Sequence, residues 1–387
     1  MTYRVVWFKR DLRLHDHAAL DHAARRGPVL ALYVMEPDLW RQPDMALQHH
    51  RFIRESLKDL YREAQSHGLT LQVVEGEIVE VLQRLYEQAP FIELVSHEET
   101  GNAWTFARDQ RVAAWCHTQG VTWTELQQFG VVRRLRSRDE WHARWRAHMN
   151  APRLPVPSLV AHPSPLRIAP LSDGTAFALA AHDPPRRQRG GRQLGLAVLH
   201  EFLSVRSQTY RGGISSPLSA PTACSRLSPY LSYGCLSMRE VLQETSQFMQ
   251  SLPPQASAHR RGLAAFISRL HWHCHFIQKL ESEPEIEWLN MHRGYDGLRE
   301  TEWNEARWQA LTQGRTGWPL VDACVAMLHE TGWLNFRMRA MLVSVASYPL
   351  WLHWQPVGQW LARQFLDYEP GIHWSQMQMQ SGTTGIN

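Results

Sequence analysis

The chain has 387 residues, of which 44% are hydrophobic and 20% are charged. A chain of this size and composition buries a large core and divides into two or three domains, which excludes a mainly disordered protein. Its net charge of +4 permits a local nucleic-acid-binding face but does not by itself indicate one. The 17 tryptophans exceed ordinary usage, so we expect many of them to pack together or against a planar ligand.

The cysteines are scattered and form no Cys-x-x-Cys pair, which argues against a disulfide framework and a thiolate zinc site. The N-terminus is charged before any apolar run of signal-peptide length, and no later stretch is long enough to cross a bilayer. We therefore expect a cytoplasmic protein with no membrane partner and no metal.

In the first third of the chain, short apolar runs alternate with runs of helical periodicity. The pattern predicts strands over residues 4–8, 29–34, 69–74, 91–95 and 121–126. It predicts helices over residues 51–65, 78–86 and 103–117. Near-continuous apolar strands separated by helices indicate a doubly wound parallel sheet with helices on both faces.

The second half follows a connector and reads as helical throughout. Residues 152–170 carry six prolines, so this stretch is predicted to be extended. Later helices are predicted over residues 194–203, 238–249, 260–280, 319–328, 335–348 and 357–365. We predict an α/β domain over residues 1–130, a connector over 131–193 that is Pro-rich and then basic, and an all-α domain over 194–387.

The first predicted strand ends in a charged segment, residues 9–16. The carboxyl end of a parallel strand is where open α/β sheets bind ligands. The charges there can hold an anion, pair across the crevice or remain solvated. No Gly-rich fingerprint follows, which disfavours a standard dinucleotide site.

Two histidines, His271 and His275, stand at i, i+4 on a predicted helix, the spacing of some zinc ligands. No third ligand stands at matching spacing, so we disfavour zinc. Helical spacing turns Trp272 away from this pair, where it suits the wall of a pocket or an ordinary core position.

The segment from Ser225 to Gly234 carries several hydroxyls and the guanidinium of Arg226. We predict a helix start with Ser228 as its capping residue and Pro229 at the first helical position. Free backbone amides beside Arg226 suit a pyrophosphate, and an ordinary capped helix is the alternative.

Two Thr-Gly-Trp turns, at residues 316–318 and 331–333, each lead into a predicted helix. The second helix opens with Arg337 and Arg339, and Asp367 and Glu369 follow the next helix. Such residues near helix ends form buried ion pairs or grip the hydroxyls and ring edges of a ligand.

Taken in order, these segments resemble the DNA photolyase and cryptochrome family over almost the whole chain. The matching runs are Phe-Lys-Arg-Asp-Leu-Arg at 8–13, Cys-Ser-Arg-Leu-Ser-Pro-Tyr-Leu at 224–231, Gly-Arg-Thr-Gly-Trp-Pro-Leu-Val-Asp-Ala at 314–323, Thr-Gly-Trp-Leu-Asn-Phe-Arg-Met-Arg at 331–339 and Asp-Tyr-Glu at 367–369. The resemblance implies an α/β domain that often holds an antenna chromophore, of folate or flavin type. It further implies a helical domain that binds a U-shaped FAD.

The resemblance also implies roles for individual residues. Contacts with the flavin phosphates and ribityl chain are implied for Tyr210, Cys224, Ser225, Arg226, Leu227 and Ser228. Arg339 and Asp367 correspond to the ion pair beside the isoalloxazine ring, and Glu369 to the acid at the flavin edge. The substrate or DNA side is assigned to Arg269, Trp272, Phe336 and Arg337, with Trp272 as the aromatic wall of the damaged-base pocket.

The chain departs from the family in that pocket and beside the flavin. Arg269 replaces the Glu with which repair photolyases hydrogen-bond a cyclobutane dimer, and Phe336 replaces an Asn. His373 stands where Asn commonly faces flavin N5, and a titrating imidazole there can donate or hold a proton.

A third departure affects the implied electron-transfer path. Met377 stands where the flavin-proximal Trp belongs, whereas Trp354 keeps the middle position. We therefore expect slow photoreduction along this path, unless electrons arrive through other rings, for which the candidates are Trp318, Trp333, Trp351 and Trp374.

The chain ends at Asn387, where family members continue through further helices, and we interpret it as a fragment, a truncated gene or a short form. Three functions follow: a cryptochrome-like photoreceptor that signals through a protein partner, a light-driven DNA repair photolyase, or an inactive remnant. Arg269 and Phe336 favour the photoreceptor over dimer repair. Trp272 and a basic linker keep repair open, with phosphate contacts expected from Arg186, Arg187, Arg189 and Arg192.

Overall fold

The computed structural model describes residues 2–166, 171–177 and 180–385. Pro170, at the end of the predicted connector, and residues 386–387, at the end of the chain, lie outside the described residues.

The N-terminal part is built on a parallel sheet with strand order β3-β2-β1-β4-β5. Its strands are β1 (Arg4–Phe8), β2 (Val29–Met35), β3 (Leu71–Glu75), β4 (Glu93–His97) and β5 (Thr122–Leu126). In register, Val6 of β1 lies opposite Ala31 of β2 and Val95 of β4. The doubly wound sheet is therefore confirmed, with strand limits that differ from the prediction by up to two residues.

Helices cover both faces of this sheet, which is why its central strands are apolar throughout. The helices up to β5 are α1 (Ala18–Ala24), α2 (Pro37–Trp40), α3 (Leu47–Ser66), α4 (Ile78–Gln88) and α5 (Ala103–Gln119). On one face Val6 belongs to the same buried cluster as Phe52 of α3, and on the other Val5 belongs to that of Val81 of α4.

The remainder of the described chain is helical, as predicted. Its α-helices are α6 (Trp141–Asn150), α7 (Arg192–Glu201), α8 (Ser207–Gly213), α9 (Ala220–Ala223), α10 (Ser228–Ser232), α11 (Met238–Ser251), α12 (Ser257–Ser282), α13 (Glu305–Thr312), α14 (Pro319–Thr331), α15 (Phe336–Ser347), α16 (Trp354–Gln364) and α17 (Pro370–Ser381). A π-helical turn, Phe202–Arg206, joins α7 to α8, and short 3-10 turns cover Arg138–Glu140, Thr175–Phe177, Pro284–Glu287 and Arg293–Tyr295.

The sequence analysis missed five of these helices: α6, α8, α9, α13 and α17. α8, α9 and α13 span only 7, 4 and 8 residues, which is too few to show a clear helical period. α6 lies inside the predicted connector, and its buried residues are only Trp141, Trp145 and Met149, a stripe too narrow to stand out. α17 is buried on most sides, including the polar residues Ser375 and Gln378, so it has no polar face to give it a helical period. The described part of the proline-rich stretch, residues 152–166, forms no helix, and Ala161 makes an isolated bridge with Val29.

Tryptophans pack in groups within the helical region, which confirms the expectation from composition. Trp303 lies 5.2 Å from Trp308, and Trp308 lies 5.9 Å from Trp360, between ring centroids. Trp354 and Trp374 belong to the same core cluster as Trp360. None of the helices in the described ranges is both long enough and apolar enough to span a membrane.

Candidate functional site

A buried ion pair joins α15 to the loop between α16 and α17. Arg339 Nη2 donates to Asp367 Oδ2 at 2.9 Å, and Arg339 Nε donates to the Leu334 carbonyl at 2.8 Å. Burial by itself raises the pKa of Asp367, but the Arg339 charge and hydrogen bonds from Arg339 and Ser228 hold that pKa below its usual value. The second oxygen, Asp367 Oδ1, is buried without a partner, so it can accept a hydrogen bond from a ligand.

The Cys224–Ser228 segment leads into α10 and reaches this pair through Ser228. The α10 helix begins at Ser228 as predicted, but its capping residue is Leu227 and no side chain caps it. The prediction of Ser228 as the cap is therefore wrong, because the Ser228 side chain is used on Asp367 instead. Arg226 adopts a left-handed conformation, φ 57°, that sets its guanidinium carbon 4.0 Å from the Trp333 ring centroid.

The backbone of this segment is held by Arg206, a residue that the sequence did not single out. Arg206 Nη1 donates to the Cys224 carbonyl at 2.5 Å and Nη2 to the Ser225 carbonyl at 3.3 Å. Its Nε is buried without a partner. No local pattern marks Arg206, because its role depends on α8 lying beside a segment that comes 18 residues later.

Tyr210 lies on α8, which packs against α12. Its ring makes edge contacts with Phe202 and Phe266, at centroid distances of 5.5 and 5.8 Å. The two helices approach closely at Gly262, where a Cβ would stand 1.8 Å from the Ser207 carbonyl oxygen. Burial raises the pKa of the Tyr210 phenol, so the hydroxyl remains a proton donor at any ordinary pH.

Glu369 links the helical region to the end of β1. Arg10 Nη2 donates to Glu369 Oε2 at 2.8 Å and to the Tyr368 carbonyl at 3.3 Å. Burial raises the pKa of Glu369 to about 7, although the Arg10 charge opposes the rise. Arg10 was missed as a site residue, since the contact spans 359 positions of sequence.

The next residues of α17 place an imidazole and a thioether in the same core. His373 Nε2 donates to the Gly358 carbonyl at 2.8 Å, which fixes the proton on Nε2 and leaves Nδ1 as an acceptor. Burial lowers the pKa of His373 to about 4, so the prediction of an imidazole that titrates near neutral pH is wrong. Met377 of α17 and Trp354 of α16 are both buried in the same hydrophobic cluster.

The residues assigned to the substrate side lie at the surface. Phe336 is 56% and Trp272 is 43% exposed, and Arg269 and Arg337 are also exposed. Trp272 does not turn away from the histidine pair as predicted, because its ring meets His275 edge-on at 5.1 Å. It also stacks on Phe276 at 5.7 Å.

The basic linker is divided between buried and exposed arginines. Arg187 donates to both Glu55 and Asp183, and Arg192 donates through two nitrogens to Glu240. These two side chains are only 1% and 8% exposed, so the prediction that they contact DNA phosphates is wrong. Arg186 and Arg189 remain exposed, at 76% and 60%, in surface pairs with acids.

Histidine clusters do occur, but their hydrogen bonds compete with metal binding. Among the described residues, Asp11, His17 and His97 have ligand atoms within 4.8 Å of one another. His17 Nδ1 accepts from the Leu20 amide, so Nε2 carries the ring proton, and it lies 3.0 Å from Asp11 Oδ2. His271 and His275, the predicted pair, take separate partners, His142 and Arg138.

A cavity lies where β1 and β2 end. It encloses about 640 Å³ that is open to solvent and is lined by Trp7, Lys9, Arg10, Tyr33, Glu36, Trp40, Glu99, Arg108, Tyr233 and Tyr368 among others. Glu36 Oε1 is buried there without a partner, and burial raises the pKa of Glu36 to about 7 despite the neighbouring Arg108. The predicted ligand position at the end of β1 is thus a cavity with charges of both signs and aromatic walls.

Family models match both halves of this architecture. The model described as DNA photolyase matches residues 4–134, which contain the sheet. The model described as the FAD binding domain of DNA photolyase matches residues 266–387, which contain Arg339, Asp367 and α17. The chain belongs to the DNA photolyase and cryptochrome family.

Relatives of both kinds cover nearly the whole of this family member. It is 27% identical to the deoxyribodipyrimidine photo-lyase of Vibrio cholerae, over 94% of this chain and 78% of the relative. It is 26% identical to the cryptochrome DASH of Gloeobacter violaceus, over 98% of this chain and 79% of the relative. It shares its fold with the crystal structure of a Synechocystis cryptochrome, with a TM-score of 0.85 and 22% identity over 99% of this chain and 83% of the other.

The FAD-binding domain of the family carries side chains that fit the cofactor. Asp367 Oδ1 and Arg206 Nε are an acceptor and a donor that are buried and unpaired, as expected where a ligand completes the hydrogen bonds. Bound FAD absorbs blue light and exchanges electrons, while the protein supplies orientation and local charge. Arg339, Asp367 and the Cys224–Ser228 segment are the groups that would hold and orient it.

Proposed function

We propose that this protein is a blue-light-absorbing FAD protein that acts as a cryptochrome-like photoreceptor rather than as a cyclobutane-dimer photolyase. The observation that carries the proposal is that Arg269, which shares α12 with Trp272, and Phe336, at the start of α15, are both exposed. At these two positions the resemblance implies a Glu and an Asn in dimer-repairing relatives. A signalling protein partner belongs to the same proposal.

The two replacements remove the hydrogen-bond acceptors of a lesion pocket. A glutamate and an asparagine both accept hydrogen bonds from a base edge, whereas arginine only donates and stays charged. Phenylalanine has no polar side-chain atom. A dimer extruded into this pocket would leave its N–H groups unpaired, which costs about 1–3 kcal/mol for each buried group.

DNA repair is the second candidate, and one observation favours it. Trp272 and Phe276 stack into an aromatic surface that suits an extruded base, and the exposed Arg337 is available for a phosphate contact. A lesion other than the cyclobutane dimer would satisfy the same aromatic wall. The remaining exposed linker arginines, Arg186 and Arg189, are available for phosphate contacts.

Within the proposed function, the flavin site works through four groups of residues. Tyr210 and the Cys224–Ser228 segment hold the phosphates and ribityl chain, and Arg339 with Asp367 orients the ring. Glu369, tied to Arg10, stands at the flavin edge. His373 presents Nδ1, an acceptor, so it holds a proton that is already on flavin N5 and does not supply one.

We place an antenna chromophore in the cavity at the ends of β1 and β2. The cavity is open to solvent, so a ring can enter it from the surface. The aromatic walls suit a heteroaromatic ring of flavin or folate type, and Glu36 Oε1 can accept from its N–H edge.

The test measures repair and light response on the same purified full-length protein. Flavin-loaded protein is illuminated with duplex DNA that contains one cyclobutane thymine dimer, and restored thymines are counted by chromatography. We expect no repair above the protein-free illuminated control, together with a light-induced change in flavin absorbance that reverses in the dark. Light-dependent restoration of the dimer by the unmodified protein would replace the photoreceptor proposal with repair.

A matched pair of variants tests the pocket argument. Arg269→Glu with Phe336→Asn restores both acceptors and should increase the preference for dimer-containing over undamaged DNA by at least tenfold. The control, Arg62→Glu with Phe106→Asn, makes the same changes at exposed positions elsewhere and should leave that preference unchanged. Equal gains in both double variants would mean that general charge, not the pocket, governs binding.

A further inference from the structure

Trp374 is an indole that lies between the flavin-facing His373 and Trp354. Its ring centroid is 5.0 Å from that of His373 and 6.0 Å from that of Trp354, and both contacts are edge-on. All three rings are buried, with exposures of 8% for His373, 2% for Trp374 and 1% for Trp354. At these centroid distances the ring edges are in van der Waals contact.

The other indoles considered from the sequence lack such contacts in the described part of the chain. Trp318 is 43% exposed and stands in a turn before α14. Trp333 lies beneath the Arg226 guanidinium, and Trp351 bonds Glu302 at the surface. Only Trp374, among these described candidates, touches both His373 and Trp354.

Gly358 keeps the three rings in this arrangement. Its carbonyl accepts the His373 Nε2 proton at 2.8 Å. A Cβ at Gly358 would stand 2.6 Å from Trp374 Cζ3 and 3.4 Å from Met377 Cγ. Because Gly358 of α16 has no side chain, Trp374 can pack against it beside Met377, the position where the family resemblance implies an indole.

We infer that Trp374 replaces the missing indole at position 377 as the aromatic electron relay between the flavin site and Trp354. This inference rests on the proposed function, in which an excited, oxidised flavin held by Arg339 and Asp367 is the one-electron oxidant. Trp374 loses one electron to the oxidant, and Trp354 then transfers one electron to the Trp374 radical cation. No bond is formed or broken.

The positive charge ends on Trp354. A soluble one-electron reductant such as ascorbate then returns one electron to Trp354. Trp354 Nε1 donates to Asn290 Oδ1 at 2.7 Å, and this carboxamide dipole stabilises the cation without taking the proton. The Met377 thioether has no extended π system and is harder to oxidise than an indole. Met377 therefore contributes packing rather than charge transfer.

The experiment uses the flavin-loaded full-length protein under blue light with ascorbate. It measures the flavin reduction rate by absorbance and the indole-radical yield by electron paramagnetic resonance after rapid freezing, both normalised per bound flavin. Trp374→Phe and Trp354→Phe should each lower the radical yield and the reduction rate by at least tenfold. The control Trp318→Phe, at a 43% exposed position, should change neither.

A further variant keeps the test decisive where packing suffers. Trp374→Phe combined with Met377→Trp should recover at least half of the lost rate, because it returns an indole to the adjacent position. Retention of the indole signal and of the rate within twofold in Trp374→Phe overturns the relay.

The outcomes also separate the relay from the function on which it rests. If the unmodified protein reduces its flavin in light and Trp374→Phe does so equally, the relay falls and the photoreceptor proposal stands. If light changes neither the flavin nor the indoles of the unmodified protein, both fall.

Discussion

At the residue scale, one carboxylate carries much of the flavin site. Asp367 is buried, pairs with Arg339 and receives a hydrogen bond from Ser228. Its loss would leave the Arg339 charge, which is 23% exposed, without its partner. Breaking a buried ion pair lowers the free energy of unfolding far more than removing a surface pair. We therefore expect the loss of Asp367 to destabilise the fold measurably.

Asp367→Ala should lower the free energy of unfolding by about 3 kcal/mol and weaken FAD retention. Urea denaturation and the flavin absorbance after gel filtration measure the two effects. The control Asp38→Ala removes an exposed partner of Arg41 and should change stability by less than about 1 kcal/mol. An Asp367→Ala protein that stays yellow with unchanged stability would contradict the assigned pairing.

His373 also acts at the residue scale, through its protonation. Burial lowers the pKa of His373 to about 4, so the neutral ring stabilises the fold fully above pH 6.5. This contribution is lost as the pH falls from 6.5 towards 4. His373→Asn should reduce the slope of stability against pH in that window by at most about 1.4 kcal/mol per pH unit, the limit for one proton.

Urea denaturation at half-unit pH steps measures this slope. The exposed His200→Asn serves as the control, with an unchanged slope expected. A His373 resonance that titrates near pH 6.5 in nuclear magnetic resonance would contradict the role assigned to burial.

At the element scale, the linker before α7 is fixed to α3 by charge. Arg187 joins Asp183 of the linker to Glu55 of α3, and the Gly190 amide donates to the same carboxylate at 2.8 Å. Burial alone would lower the pKa of Arg187. The hydrogen bonds and charges of Glu55 and Asp183 outweigh this effect and raise the pKa above its usual value, so Arg187 stays charged. The basic run is thus partly a structural clamp rather than a nucleic-acid surface.

Arg187→Ala should cost about 3–5 kcal/mol of stability, because it leaves Glu55 and Asp183 without their buried partner. Arg186→Ala, one residue away and 76% exposed, should cost less than about 1 kcal/mol. Thermal denaturation of the two variants makes the comparison. Similar losses in both would show that Arg187 is not a clamp.

Element prediction succeeded where one face of a helix is apolar and failed where the pattern was weak. α4 and α11 begin where the periodicity begins, at Ile78 and Met238. α3 begins at Leu47, four residues before its predicted start, because the buried polar residues Gln48, His49 and His50 hide its first turn. α17 was missed for the same reason, since polar side chains lie on its buried faces.

At the scale of the whole molecule, buried titratable groups set the pH of greatest stability. Burial lowers the pKa of His49, His50, His148, His182, His273 and His373 to about 4 and that of His97 to about 3. Burial raises the pKa of Glu36, Glu98, Glu287 and Glu369 to about 7. The histidines favour the fold above pH 6.5, and the carboxyls favour it below pH 4.5.

Between these limits the two sets oppose each other, and the histidines are the larger set. The free energy of unfolding should therefore rise with pH from about 4 to about 6.5 and fall slightly as the carboxyls ionise near pH 7. Urea denaturation across pH 4 to 8 measures the curve. A stability that stays flat from pH 4 to 6.5 would contradict the neutral burial of these histidines.

The sequence by itself determined the five parallel strands, the longer helices that have one apolar face, and the family. These properties depend on hydrophobic periodicity and on short contiguous motifs, which a single stretch of chain displays. Tertiary structure alone decided the partners: Arg10 with Glu369, Arg206 with the Cys224 carbonyl, and Arg187 with Glu55. Only the folded chain sets Trp374 against both His373 and Trp354, because burial, charge pairing and ring contact depend on distances between segments that are remote in sequence.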